Sequence, residues 1–503
     1  MISGYCASSR RIKEVRIRES ELIIVEGGNI LSLEFWLLNS SWGFIVQEQN
    51  FKFEELPGIP RIWLDFLKSQ MSELPVLYSI QSLAAQADSV RSRRIEDLIR
   101  ILAGADAKSS QFLKNLQALS QPKAVVVVTE IDAGLFGGPL AQILKCLTTI
   151  RLCEELANYA VNAVPVAWVS TNSPQYSVRL IDADGEMQSL AVSPTDVIPD
   201  RIPDVILKIQ EFGGGTLKPG ILDLLKSVFL PGKSFSRASA ELFSALLSEW
   251  GMIVIDPTAP EFLPNVIEAL APVRARARPI ESEQSSQSRH VVSLLHASVV
   301  PDHLTVSSVL PVLAFVIDPF EISALVRLLP AFDETGLPRP AVWPRASLTF
   351  GDARSRRTFS RYHLDLPQLF SGGDKVLRGV MQAIPHSALE KFDRLKLEVQ
   401  TRVAELGLPA DSEISDTAAS CRDRIVYQLE KLRAHLESAL SMKEKTASRQ
   451  IQKACNLLAP YGQTQERELA GIQIPLNYSH AGLRFLYEKM DILKFEHQLI
   501  WMD

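Results

Sequence analysis

The chain has 503 residues, of which 46% are hydrophobic and 22% charged. This composition is ordinary for a folded protein, and the length predicts a main domain with appended elements or two to three domains. A formal net charge of −5 gives no general attraction to nucleic acid or anionic membranes, and no stretch has the roughly 20 apolar residues of a membrane span. We therefore expect a cytoplasmic protein without nucleic-acid or membrane partners.

The five cysteines form no CxxC pair, and no histidine stands at metal-ligand spacing from them. The pattern indicates neither a metal site nor a disulfide framework, so we expect reduced thiols. Cys146 and Cys153 are seven residues apart in a predicted helix and share one face. We interpret them as small buried hydrophobic residues.

Residues 1–50 begin with a basic segment and continue with two strand-like runs, ELIIVE and SLEFWLL. They resemble no family pattern. We interpret 1–50 as a peripheral N-terminal extension of unknown role, and a true start further downstream is the alternative.

The informative part of the chain begins at residue 122. The apolar run 124–128 does not alternate, which is typical of a strand buried on both faces of a parallel sheet. A glycine-containing loop follows, then a helical pattern opened by Pro139 and a second strand-like run at 164–169. These elements predict a βαβ unit with a right-handed crossover.

The α/β pattern continues downstream of this unit. A hairpin is predicted over 176–192 around Asp184-Gly185. Further predicted elements are helices at 237–250, 261–270 and 319–332 and strands at 252–256, 312–317 and 341–343. The polar segment 274–289 is interpreted as a mobile surface loop, with anion contact by its arginines as the alternative. We therefore predict a Rossmann-like α/β core with a parallel sheet and insertions over 51–388.

From about residue 389 the chain becomes rich in charged, helix-forming residues. Apolar residues there recur at four- and three-residue steps: Ile425, Leu429, Leu432, Leu436 and Ala439. This seam predicts a C-terminal helical coiled-coil arm over 389–503, either antiparallel or dimerising. At about two heptads it is short, and an ordinary amphipathic helix is the alternative.

The loop between the first strand and the helix contains Gly134, Leu135, Phe136, Gly137 and Gly138. Backbone N–H groups at such a turn can receive a phosphate or carboxylate at the helix N-terminus. The spacing is neither GxGxxG nor a Walker A loop, and by the residues alone tight strand-to-helix packing is the favoured interpretation. Lys145, further along the helix, either reaches back toward a bound phosphate or is solvated.

Several segments in order resemble one family. VVVVTEIDAGLFGGPLAQILKCLTTIRLCEEL followed by VPVAWV is similar to the central signature of the BshC family, in which a TGQQxGLFGGP loop precedes a VPVFWxAxEDHD strand end. SEWGMIVIDP, LPVLAFVIDPFEI, WPR and LAPYGQTQER resemble further family segments in the same order. The resemblance runs from about residue 53 to the end of the sequence.

This resemblance implies a cysteine ligase that joins cysteine to glucosamine-malate by a carbon–nitrogen bond, in the last step of bacillithiol biosynthesis. It also implies an adenine nucleotide (ATP or ADP) as cofactor and a homodimer formed through the helical arm. No metal is implied. The substrate- or nucleotide-binding residues that it indicates are Gly134, Leu135, Phe136, Gly137, Gly138, Lys145, Trp168, Glu321, Arg345, Gln465 and Arg467.

The sequence departs from the family pattern at three places. Glu130-Ile131-Asp132 stands where the family has Gly-Gln-Gln, and residues 172–175 replace Glu-Asp-His-Asp. The Arg-Pro-Leu-x-Gln stretch is lost at 302–306. Asp132, the acid nearest the loop glycines, is our candidate for an acid–base role.

Three retained polar residues have two interpretations each. Arg345 either pairs with a ligand carboxylate or phosphate, oriented by Glu321, or forms an internal ion pair. Gln465 and Arg467 either line a nucleotide pocket between arm and core or cap a helix. None of the eight histidines suggests a catalytic triad.

The departures leave two alternatives to the ligase open. The chain could be a catalytically degenerate homologue that acts as a binding or scaffold protein. It could also be a ligase for a different amine substrate, since altered pocket residues change specificity.

Overall fold

The computed structural model describes residues 14–18, 21–26, 29–33, 49–68, 79–90, 95–103, 109–276, 302–382, 387–406 and 413–502. The chain divides into two units, 1–47 and 48–503. The predicted surface loop 274–289 lies outside the described residues from 277 onward.

The first unit contains an antiparallel sheet of three strands, β1 (Glu14–Arg18), β2 (Glu21–Glu26) and β3 (Asn29–Leu33). The register pairs Leu22 with Ile17 on one side and with Leu33 on the other. The strand predicted from ELIIVE is therefore confirmed as β2.

The second unit contains the remaining strands and all described helices longer than one turn. Its strands are β4 (Gln49–Phe51), β5 (Val125–Gly134), β6 (Ala163–Gln175), β7 (Ser177–Ile181), β8 (Met187–Ala191), β9 (Ile253–Ile255), β10 (Val312–Ile317), β11 (Ala341–Pro344), β12 (Ser347–Asp352) and β13 (His497–Met502). Its helices up to the arm are α1 (Arg61–Leu67), α2 (Ile80–Gln86), α3 (Glu96–Ala103), α4 (Ser110–Leu119), α5 (Leu140–Ala157), α6 (Ile202–Phe212), α7 (Pro219–Val228), α8 (Phe235–Leu246), α9 (Leu263–Arg276), α10 (Asp302–Val309), α11 (Ile322–Thr335), α12 (Ala353–Tyr362), α13 (Leu366–Leu369) and α14 (Gly373–Gln382). The remaining helices are α15 (Ser387–Ala404), α16 (Glu413–Leu458), α17 (Gln465–Glu468) and α18 (Gln473–Lys489).

The core is a five-stranded sheet in the order β11-β10-β5-β6-β9, and all four strand pairings are parallel. Helix α5 connects β5 to β6, as predicted from the apolar run and the loop that follows it. β9 extends the sheet beyond β6 on one side, whereas β10 and β11, which come later in the chain, add to the other side of β5. This reversal of strand order confirms the Rossmann-like α/β class.

The apolar run at the start of β5 is buried completely. Val126, Val127 and Val128 are fully buried, because α5 and α8 both contact β5 and further helices cover the sheet. Cys146 and Cys153 on α5 are also buried, as predicted, and burial raises the pKa of the Cys146 thiol to about 12. These thiols are inert packing groups.

Two smaller sheets complete the unit. β7 and β8 form the predicted hairpin, with Gly185 at φ 84° in the turn. β13 pairs parallel with β12 and antiparallel with β4. The chain therefore leaves the core after β12, forms the helical region and returns in β13.

The arm consists of α15 and the 46-residue α16. Their ion pairs run in opposite directions along the two helices, Lys396 with Glu430 and Asp393 with Arg433, so the helices are antiparallel. This confirms the predicted helical arm. Within the seam, Ile425 and Leu432 remain about half exposed.

Candidate functional site

The order of the strands reverses between β5 and β10. In open α/β sheets, ligands bind outside the carboxyl ends of the strands where the order reverses. The segments that reach this edge are the end of β5, the loop before α11, and the N-terminus of α10, which runs back along the sheet into β10. Each of them carries ionisable side chains.

The glycine loop is packed inside the protein. All five predicted ligand-binding residues of this loop are buried: Gly134, Leu135, Phe136, Gly137 and Gly138. The Gly134 N–H donates to Ser239 Oγ at 3.0 Å, and the Leu140 N–H at the start of α5 donates to the Leu469 carbonyl at 2.8 Å. The Phe136 ring packs edge-on against Phe229 at 5.0 Å. The geometry favours strand-to-helix packing over an open anion socket.

A Gly134→Ala substitution tests this interpretation. A Cβ at Gly134 would lie 2.7 Å from both Cβ and the carbonyl oxygen of Gln175, so we expect a loss of about 1–3 kcal/mol in the free energy of unfolding. Gly220→Ala on α7 is the control, because its Cβ would meet nothing within 4 Å. Urea unfolding would measure both. Weakened anion binding without loss of stability in Gly134→Ala would contradict the packing interpretation.

The ionisable cluster at this edge of the sheet consists of Asp132, Lys145 and Glu321 together with the pair Glu130 and His303. Lys145 and Asp132 belong to its first half. Lys145 is 2% exposed, not solvated, and pairs with Glu321. Burial lowers the pKa of Lys145, but Glu321, Asp132 and Asp318 together raise it above its usual value, so the lysine stays charged. Asp132 accepts a 3.0 Å hydrogen bond from Gln142, and burial raises the pKa of its carboxyl. The structure thus brings three predicted site residues, Asp132, Lys145 and Glu321, together.

Glu130 and His303 form a buried pair beside this group. His303 Nδ1 lies 2.7 Å from Glu130 Oε1, and the side chains are 9% and 17% exposed. The imidazole packs against Phe315 with ring centroids 4.6 Å apart. Burial lowers the pKa of His303, but the carboxylates of Glu130, Glu321 and Asp302 raise it above the ordinary histidine value.

Asp302, the first residue of α10, is held by three donors from β6. Its Oδ2 accepts from Ser170 Oγ at 2.6 Å and Asn172 Nδ2 at 2.7 Å, and its Oδ1 accepts from Trp168 Nε1 at 3.2 Å. Burial and the neighbouring Glu130 raise the pKa of Asp302 to about 6, against these hydrogen bonds. This carboxyl therefore changes charge close to neutral pH.

Arg345 forms an internal clamp. Its guanidinium donates to Asp318 at 2.7 Å and to both oxygens of Glu466 at 2.8 and 2.9 Å, and its side chain is 1% exposed. The partner expected for Arg345 was Glu321, which instead pairs with Lys145. The internal ion pair is the interpretation that the geometry favours. It joins the end of β11 to α17.

Gln465 and Arg467 flank Glu466, but the Gln465 side chain is buried and the Arg467 side chain is exposed. The Gln465 amide is buried and bonds the backbone N–H and carbonyl of Phe350 and the carbonyl of Leu457. Arg467 is exposed, and its guanidinium lies 3.9 Å from the centre of the Phe320 ring. Of these two residues, only Arg467 has a side chain that is exposed and so available to a ligand.

Sequence reasoning assigned no site role to four residues of this region: Glu130, Asp302, His303 and Asp318. A signal existed for two of them. Glu130 and Asp318 each follow a predicted buried strand, where ligand-binding side chains gather. Asp302 and His303 gave no such signal, because only the fold brings α10 to β5 and β6.

A second concave region lies between the β7–β8 hairpin, α12, α16 and α18. It encloses about 650 Å³, and its lining includes five basic residues: Arg354, Arg357, Arg361, Arg449 and Lys453. Within the described part of the chain, none of these five forms an ion pair with an acidic side chain. We call this region the basic groove.

Two acidic residues of the basic groove, Asp182 and Asp352, are engaged locally. Asp182 accepts from the backbone N–H groups of Asp184 and Glu186, and Asp352 caps α12 through the N–H of Ser355. The basic groove is therefore suited to an anion larger than a single phosphate.

Two family sequence models match the chain. The N-terminal Rossmann-like domain of bacillithiol biosynthesis BshC matches residues 66–300, and the C-terminal coiled-coil domain of BshC matches residues 348–502. The chain belongs to the BshC family. The match to the coiled-coil model begins within β12, at residue 348.

Individual relatives align with this chain over most of their length. Proteins named "Putative cysteine ligase BshC" from Koribacter versatilis, Salinibacter ruber and Solibacter usitatus are each 23% identical to this chain. The matches cover 84%, 77% and 82% of this chain and 94%, 84% and 92% of those proteins. Membership of the family rests on both domains.

The described residues contain neither a candidate membrane span nor a candidate metal site. No described helix has the length and apolar character needed to cross a membrane. No three His, Cys, Asp or Glu side chains in the described ranges are grouped so as to hold a metal ion.

Proposed function

We propose that this BshC-family chain joins the carboxyl group of cysteine to the amine of glucosamine-malate, giving bacillithiol. The observation that carries the proposal is the ionisable cluster at the carboxyl ends of β5 and β10. Although residues 172–175 lack the family's acids and histidine, this edge of the sheet still holds Asp132, Lys145 and the Glu130–His303 pair.

The chemistry needs two things of the protein. An amine attacks only as the free base, so a group must accept its proton, and the carboxylate must be activated and held close. Asp132 and Asp302 have raised pKa values, which suits carboxyl groups that exchange protons near neutral pH. Lys145 stays charged and holds the carboxylates of Asp132 and Glu321 in place at the same edge.

An adenine nucleotide would supply the phosphoryl or adenylyl group that activates the carboxylate. The glycine loop does not fit this cofactor, because the amides of Gly134 and Leu140 are already bonded within the protein. The basic groove does fit, since unpaired arginines bind phosphate oxygens in bidentate fashion. Arg354, Arg357 and Arg449 are the residues that would hold the phosphates there.

The helical arm is suited to pairing with a second copy of the chain. Ile425 and Leu432 leave about half of their surface exposed on α16 after α15 has packed against it, and Tyr427 and Met442 on the same helix are more exposed still. A homodimer through the arm would bury this surface.

The experiment is a ligation assay with the purified full chain, cysteine, glucosamine-malate and ATP, read by mass spectrometry. We expect a thiol product one water lighter than the sum of cysteine and glucosamine-malate. Arg354→Ala/Arg357→Ala should raise the KM for ATP at least about tenfold, because two phosphate contacts are lost. Arg100→Ala, an exposed arginine on α3, is the control.

The other outcomes identify the alternatives. No product with glucosamine-malate, but product with another amine in a panel of amino sugars and amino acids, would indicate a ligase of different specificity. Binding of glucosamine-malate without any product would indicate a degenerate homologue.

A further inference from the structure

The three segments that depart from the family pattern meet in space. Glu130 is the first residue of the first segment, Asn172 opens the second, and Asp302 and His303 open the third. Asn172 donates to Asp302, and Glu130 pairs with His303. Asn172 and Asp302 are 130 residues apart in the chain, so the folded structure, not the local sequence, brings these segments together.

Asp302 is the centre of this network. Trp168, Ser170 and Asn172 alternate along β6, so their side chains emerge on the same face of the strand, and all three donate to the one carboxylate. A carboxylate held by three side-chain donors has a fixed orientation. Two of the donors bind the same oxygen, Oδ2, at 2.6 and 2.7 Å, whereas the bond from Trp168 to Oδ1 is longer, at 3.2 Å.

Resting on the proposed ligase function, we propose that the Asp302 carboxylate is the base that takes a proton from the ammonium group of the amine substrate. In this step one N–H bond of the ammonium breaks and an O–H bond forms on Asp302. The nitrogen keeps the electron pair and becomes the nucleophile. Asp302 then returns its proton to solvent.

The charged groups facing Asp302 favour this role. Glu130 from β5 disfavours a second negative charge nearby, while His303 on the same helix and the β6 donors stabilise the ionised form. The balance raises the pKa of Asp302 to about 6. A base with such a pKa is mostly ionised at pH 7 and still basic enough to accept a proton. Asp132 is less suited to this role, because the charged Lys145 stabilises its ionised form.

The first test compares variants of the full chain in the ligation assay. Asp302→Asn keeps the shape but cannot accept the proton, so kcat should fall at least about 100-fold. Asp223→Asn, an exposed acid on α7, should match the wild type. Loss of less than about threefold in Asp302→Asn would overturn the proposal.

A second variant separates proton transfer from a structural role and remains informative if Asp302→Asn fails to fold. Ser170→Ala removes one donor to the ionised carboxylate, so the acid limb of the kcat/KM profile should move upward by roughly one pH unit. A wild-type acid limb near pH 6 that does not move in this variant would overturn the proposal.

An independent measurement does not require ligase activity. The chain has seven tryptophans, and ¹⁵N-indole labelling gives one signal for each, with Trp168 assigned through Trp168→Phe. Its Nε1–H donates to Asp302, so the signal should titrate between pH 5 and 7 and lose this titration in Asp302→Asn. If the wild type makes no product, the proposed function fails, and this signal still decides whether Asp302 exchanges a proton. A Trp168 signal that does not titrate would overturn the proposal.

Discussion

Replacing Glu466 with glutamine is expected to lower the free energy of unfolding by about 3–5 kcal/mol. Glu466 is 2% exposed. Its carboxylate accepts hydrogen bonds from both terminal nitrogens of Arg345, from the Ser347 hydroxyl and from the Leu348 N–H. A neutral amide leaves the guanidinium buried with Asp318 as its one remaining counter-charge in the described structure. It also turns one oxygen acceptor into a donor that faces other donors.

Denaturant unfolding followed by far-UV circular dichroism would measure this loss. Asp333→Asn is the matched control, because Asp333 pairs with Arg339 at the surface, where both side chains are more than half exposed. The control should lose less than about 1 kcal/mol. Similar losses in the two variants would show that the clamp between β11 and α17 contributes no more than a surface pair.

The second large effect is expected at Lys145. Replacing Lys145 with methionine should cost on the order of 3 kcal/mol at pH 7, because it removes the buried cation from Asp132, Glu321 and Asp318. Without the lysine, the folded-state pKa values of Asp132 and Glu321 rise further above their unfolded values. A carboxyl group whose pKa is higher in the folded state than in the unfolded state makes the protein less stable as pH rises. The cost should therefore shrink as the pH is lowered toward 5, where these groups are protonated.

A double-mutant cycle between Lys145→Met and Glu321→Gln would measure the coupling directly. The double variant should be more stable than the sum of the two single effects predicts, since it contains one unpaired charge fewer. Lys123→Met, in an exposed pair with Asp88, is the control and should show a small, pH-independent change. A pH-independent loss in Lys145→Met would contradict the charge argument.

The parts of the fold with a strong local pattern were predictable. β5, α5 and β6 follow from uninterrupted apolar runs and a proline at the helix boundary, and the β7–β8 hairpin follows from Asp184-Gly185. β12 and β13 were not predicted. Their pairing joins distant parts of the chain, which no local pattern records.

The site was less predictable than the fold, because the state of a polar side chain depends on residues far along the chain. Lys145 is buried only because Glu321, 176 residues away, pairs with it. Gln465 was predicted to bind a nucleotide because of its position in a family segment. Its amide instead forms hydrogen bonds with the backbone N–H and carbonyl of Phe350 in β12. Asp302 was noted as part of a lost motif, although it accepts three hydrogen bonds at the same edge of the sheet.

The pairing of β12 with β13 has a consequence for how the molecule folds. β12 ends at Asp352 and β13 begins at His497. The ribosome must therefore synthesise the whole helical region between them before the two strands can pair. Contacts of such long sequence separation carry a high loop-closure cost and tend to form late. While a nascent chain waits for β13, the edge of β12 exposes unpaired backbone groups. Antiparallel association of α15 and α16 shortens the effective loop and so hastens its closure.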